Sequence, residues 1–176
     1  MKQNRKDIFL IFLLLVSFLI SCGQHNKSDD YLILFTDSAN NLHGYKNING
    51  EIIIPLGKYE ICLTDTFRTY AIVVKPQSGF VAIDRQENIL YQVFPFDNGP
   101  DYTSDGLFRI IVKNKIGYAD SITGKVIIEP TFDCALPFEN ELAKVSNDCT
   151  IKSDGEHTTW LSDNWYYIDK NGNRVK

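Results

Sequence analysis

An all-β chain of tandem antiparallel hairpin repeats, forming an open or partly curled array, is the fold that three sequence observations predict. β-Branched and aromatic residues cluster in short runs separated by Gly, Asn, Asp and Pro. Beyond the first thirty residues no stretch sustains a helical period. One order of signals recurs along the chain: a short apolar run, a turn, a β-branched run, then Pro. Repeats of this kind complete their cores with their neighbours.

The first segment stands apart from that fold. Lys2, Arg5 and Lys6 precede an apolar run from Ile8 to Ile20, and Leu19-Ile20-Ser21-Cys22 ends it. The run is short of the roughly 20 residues that span a bilayer, which favours a cleaved signal peptide. These residues resemble a bacterial lipoprotein signal. That resemblance implies cleavage after residue 21 and acylation of Cys22, and two or three acyl chains hold a protein stably to a membrane. Residues 22–30 then form the lipidated cysteine and a polar tether. Gly23 favours the outer membrane, on its periplasmic face or at the cell surface.

Residues 31–176 are the size of one domain. Residues 1–21 carry three basic residues and Asp7, so cleavage takes the formal charge from −4 to about −6. An acidic domain without a basic stripe gives no case for nucleic acid.

Tyr31–Thr36 starts the sheet as an apolar strand. The first repeat, about 42–75, holds Gly44-Tyr45, the Asn49-Gly50 pair, Ile52-Ile53-Ile54 and Pro55, and closes on Tyr70–Lys75. Asn49-Gly50 predicts a two-residue type I′ turn, which needs positive φ at both positions. The second, about 79–113, runs from Gly79–Asp84 through Ile89–Phe94 to Leu107–Val112. The third, about 116–147, has Ile116-Gly117-Tyr118-Ala119-Asp120, Gly124, Ile127-Ile128, Pro130, Phe132-Asp133, Phe138 and Leu142–Val145. A partial copy at 165–176 contains Tyr166–Gly172, after an insertion at 148–164. Taking Gly44, Gly79, Gly117 and Tyr166 as leading positions spaces the units by 35, 38 and 49 residues.

The residues of these units resemble the WG-repeat, or KWG-repeat, family, closely in the third unit and in part elsewhere. His43, Ser78 and Ile116 stand where that family has tryptophan. The resemblance implies an all-β repeat without established catalytic residues, found in exported and lipid-anchored proteins among others.

No triad, nucleophile or zinc signature is present, so catalytic, metal and cofactor assignments are all none. His157 lies in the insertion, and a hydrolase built on it is the most remote reading. Asp84, Asp120 and Asp169 recur at turns, where Asx-turn capping explains them better than a row of calcium ligands. With Cys22 lipidated, Cys62, Cys134 and Cys149 remain. Cys134 and Cys149 can close a disulfide in an exported chain, while the favoured alternative leaves them buried and reduced. Trp160, Trp165, Tyr166 and Tyr167 form the densest aromatic cluster, and cross-strand core packing is favoured over an exposed surface. The expectation is a non-enzymatic, lipid-anchored envelope protein whose β-surface meets a protein partner. The alternative is a glycan- or cell-wall-binding module using Trp160, Trp165 and Tyr166, which with His157 make up the candidate binding surface.

Overall fold

The computed structural model describes residues 30–153, 155 and 158–175, so Cys22, the leader and His157 lie outside the described residues. Four three-stranded meanders follow one another. The first is β1 (Leu32–Asp37), β2 (Leu42–Asn47) and β3 (Ile52–Ile54), trailed by the short β4 (Ile61–Cys62) and β5 (Thr66–Phe67). The second is β6 (Ala71–Lys75), β7 (Gly79–Ile83) and β8 (Ile89–Val93), trailed by β9 (Pro95–Phe96) and β10 (Gly99–Pro100). The third is β11 (Leu107–Val112), β12 (Lys115–Asp120) and β13 (Val126–Phe132), trailed by β14 (Cys134–Ala135). In the fourth, β15 (Ala143–Ser146) is separated by the hairpin of β16 (Thr150–Ser153) and β17 (Thr158–Leu161) from β18 (Tyr166–Ile168) and β19 (Arg174–Val175).

All the pairings are antiparallel. Seven strands form one sheet in the order β13-β12-β11-β8-β7-β6-β4, flanked by β3-β2-β1-β5 and β14-β15-β18-β19. The strand that closes each sequence repeat pairs with the opening strand of the next, as β6 does with β7, β11 with β12 and β15 with β18. Strand sharing is therefore how one unit completes another.

The turn after each opening strand sets the repeat register. Asn47 Oδ1 accepts the backbone N–H groups of Asn49 and Glu51, Asp84 Oδ1 those of Gln86 and Asn88, and Asp169 Oδ1 those of Asn171 and Asn173. Asp120 makes the equivalent bonds to Ile122 and Thr123 in a turn one residue longer. The Asn47 turn differs from the expected type I′. Gly50 N–H donates to the Asn47 carbonyl at 3.0 Å and Gly50 alone of the pair takes positive φ, 84°. This is a three-residue loop with glycine in the left-handed place. The two-residue turn with both φ positive falls at Lys113 (50°) and Asn114 (62°), between β11 and β12.

Counting back from the turn residues corrects the alignment of the second unit. Val81, not Gly79, is the equivalent of Gly44 and Gly117, which evens the first two intervals to 37 and 36 residues. A Cβ on Gly117 would lie 2.4 Å from the Ile128 carbonyl oxygen, and one on Gly44 would lie 2.6 Å from that of Ile54. Gly79 meets nothing and sits at φ 67°. In the first and third units the strand beyond the bulge curls over the glycine toward Pro55 or Pro130. In the second, the pairing of β7 with β8 also shifts between Ala82 and Ile83, but it continues past that point with Val81 opposite Gln92, which leaves room for a side chain.

Candidate functional site

A chain of packed groups leads from the core to the surface. Asp101 and Arg109 are a buried ion pair: Asp101 Oδ2 accepts the Arg109 backbone N–H at 2.8 Å and its Nε–H at 2.9 Å, and a third bond joins Arg109 Nη2 to Asp101 Oδ1. The remaining guanidinium edge donates from Nη1 to the Ala135 carbonyl at 3.2 Å. With its edges satisfied, the guanidinium lays its face over the Phe94 ring at 4.2 Å. Phe94 in turn meets Trp160 edge to face at 5.6 Å.

That stack borders a groove of about 760 Å³, which Phe96, Leu136, Lys144 and Trp165 also line. The Lys144 ammonium lies 5.2 Å from the Trp165 ring centroid, and among the described residues no carboxylate forms a salt bridge with it. Leu136 and Lys144 also line a second groove, of about 870 Å³, with Tyr102, Pro137 and Tyr167. Phe96 (48% exposed), Tyr102 (49%), Leu136 (41%) and Tyr167 (50%) thus leave large apolar surface in water around two adjoining depressions. Phe96 and Tyr102 meet edge to face at 5.2 Å.

The aromatic residues singled out from the sequence are only partly brought together. Trp160 and Trp165 line the same groove, both partly buried. Tyr166 does not line it; its ring packs edge to face on Phe132 at 6.4 Å and lies under Arg174 at 4.5 Å. Trp160 and Tyr166 pack against the core cluster of the third and fourth units. Phe94, Phe96, Tyr102, Leu136 and Lys144 were missed. The available signal was Phe94-Pro95-Phe96, where proline keeps two aromatic residues out of a continuous strand.

Cys134 and Cys149 are joined by a disulfide, which corrects the favoured expectation that they stay reduced. Cys62 is the free cysteine among the described residues, and burial pushes its thiol up to about 11, which makes it a poor nucleophile. Among the described residues no group of three or more His, Cys, Asp or Glu is placed to hold a metal. The carboxylates of Asp84, Asp120 and Asp169 are spent on their own turns. Hydrogen bonds, chiefly from the side chains of Asn88, Thr123 and Asn173, hold them below the usual carboxylate range.

Residues 116–148 match the model of the WG containing repeat. The chain carries a WG repeat. No curated protein and no solved structure matches it. Within the WG repeat, the Tyr118 hydroxyl donates to the Leu136 carbonyl at 2.6 Å, and its ring meets Phe138 edge to face at 4.8 Å. The first unit repeats the arrangement with Tyr45, the Thr64 carbonyl at 2.8 Å and Phe67 at 5.3 Å. The WG repeat therefore supplies scaffold, and Leu136, on its trailing segment, reaches the groove.

Proposed function

We propose that this WG-repeat chain is a non-enzymatic cell-envelope protein, lipid-anchored at Cys22, that binds a protein partner through the surface of Phe96, Tyr102, Leu136 and Tyr167. The observation that carries the reading is four large apolar side chains left about half exposed around two grooves with a shared wall, since such patches mark interaction sites. Aromatic anchors also suit an interface core. The lipid anchor and the membrane location, most simply the outer membrane, are supported by the lipoprotein-like leader in the sequence.

Photo-cross-linking in intact cells from position 96 tests the surface. One reproducible envelope protein should be captured, and Leu136→Asp with Tyr167→Ser should abolish the capture. Capture unaffected by both substitutions would overturn the assignment. Anchoring is tested separately, because Cys22→Ala should release the chain from the membrane fraction.

A glycan-binding module is the second reading, favoured by the shared groove of Trp160 and Trp165. Sugar stacking needs an open ring face, however, and Lys144 lies over Trp165, Arg174 over Tyr166. Saturable change in tryptophan fluorescence on titration with cell-wall fragments would favour the glycan.

A further inference from the structure

The wall of the groove that carries Trp160 is built on a hairpin outside the larger sheets. β16 and β17 form a two-stranded sheet of their own and pair with no other strand, and every residue of β16 is exposed. Three kinds of contact hold this hairpin at its root. Polar contacts run between the Ser146 and Ser162 hydroxyls at 2.8 Å and from Asn164 Nδ2 to Asp148 Oδ2 at 3.1 Å. Partly or fully exposed bonds of this sort compete with water. Trp160 rests on Phe94. The third contact is covalent: Cys149, one residue before β16, is bonded to Cys134 in β14.

Cys134 is a rigid anchor. It is fully buried, pairs with Ser146 of β15, and lies two residues before Leu136, which lines the same groove. One covalent bond therefore ties the root of the hairpin to β14, and the other attachments are the polar contacts and the packing of Trp160 on Phe94 and the core beside it.

We propose that the Cys134–Cys149 disulfide is a redox-operated latch, which holds the Trp160 wall in place when oxidised and releases it when a dithiol reduces it. The inference rests on the groove belonging to a binding surface and adds its regulation. Cys149 is partly exposed and Cys134 is not, so attack falls on Cys149. A thiolate of the dithiol bonds to the Cys149 sulfur, the Cys134–Cys149 bond breaks, and Cys134 leaves as a thiolate that takes up a proton. The second thiol of the reductant then displaces Cys149. The chain gains two electrons and two protons, and the reductant leaves as its own disulfide. Cys134 can remain where it is, since a buried thiol behaves as a small hydrophobe.

Both tryptophans of the chain lie at this groove, so emission reports the latch directly. The full-length protein in detergent is compared oxidised, reduced with dithiothreitol as verified by thiol alkylation, and as the Cys134→Ala/Cys149→Ala variant. Opening should shift tryptophan emission to the red and speed amide exchange in β16 and β17 on the order of tenfold, with β11 and β12 unchanged. Verified reduction without either change would overturn the latch. So would a parallel loss of protection in β11 and β12, because the bond would then be holding the whole fold. Photo-cross-linking from position 96 separates this from the surface reading. Equal capture by oxidised and reduced protein overturns the regulation, whereas no capture by either form, with the hairpin still released on reduction, overturns the binding surface and leaves the latch standing.

Discussion

Asn47 stands in the first unit where Asp84, Asp120 and Asp169 stand in the others, and it makes the same turn bonds without a charge. That substitution within one chain predicts what a variant will do. The three aspartates titrate below the usual carboxylate range in the folded chain. Their contribution to stability is complete above the unfolded value of about 3.9 and is lost as pH falls through the lower folded values. The Asp84→Asn/Asp120→Asn/Asp169→Asn variant should fold normally at neutral pH and lose less stability between about pH 4 and pH 2 than the parent. Urea unfolding across that range checks it. A second contrast of single residues concerns Gly117, over which the backbone of Ile128 and Pro130 closes. Gly117→Ala should cost about 1–3 kcal/mol or more, because backbone atoms cannot step aside as a side-chain tip can. Val81, its equivalent in the second unit, already carries a side chain in its place.

At the scale of elements, the insertion is attached to the scaffold rather than built into it. β15 pairs with β18 as β11 pairs with β12, but the link between them is a whole hairpin in place of two residues. Replacing residues 147–164 with an Asn-Gly turn should therefore leave the β15-β18 pairing intact and abolish partner capture. Far-UV circular dichroism and photo-cross-linking read the two outcomes. The disulfide closes a loop of sequence separation 15, a length for which the chain-entropy argument gives about 3 kcal/mol. The loop it closes contains β15, so a bond that secured the array would show in urea unfolding, whereas the loss of a latch on the hairpin alone should shift the midpoint by far less than that amount. The Asp101–Arg109 pair binds the segment before β11 to β11 itself, and both side chains are almost wholly buried. Asp101→Ala leaves a buried guanidinium uncompensated and should cost roughly 3–5 kcal/mol in chemical denaturation. It should also disturb the tryptophan emission, since Arg109 supports Phe94 and Phe94 supports Trp160.

For the molecule as a whole, strand sharing ties the units into one cooperative body. The seven-stranded sheet draws strands from the first three sequence repeats, and the first meander, whose own strands form β3-β2-β1-β5, joins it through the pairing of β4 with β6. Calorimetry of the soluble domain should give a single transition. A chain cut between Lys113 and Asn114 should yield two halves that do not unfold cooperatively alone, because the cut parts β11 from β12.

Turn residues and β-branched runs are local signals, so the sequence alone determined the class, the repeats, the position of the insertion and the aspartates that cap the turns. It also carried the lipoprotein-like leader. Register was less legible: Gly79 is a glycine near the right place, and only the turn hydrogen bonds show that Val81 occupies the position that counts. The Asn49-Gly50 loop fell the same way, because its length depends on which residues of β2 and β3 pair. Lys144, Phe96, Tyr102 and Leu136 come from separate stretches of the chain and share a surface only after the units pack. Tertiary structure alone decided the groove, the closing of the Cys134–Cys149 bond and the turning of Tyr166 from that groove onto Phe132. The reason is physical: a turn is specified by bonds within a few residues, whereas a surface is specified by which distant residues remain outside once the strands have paired.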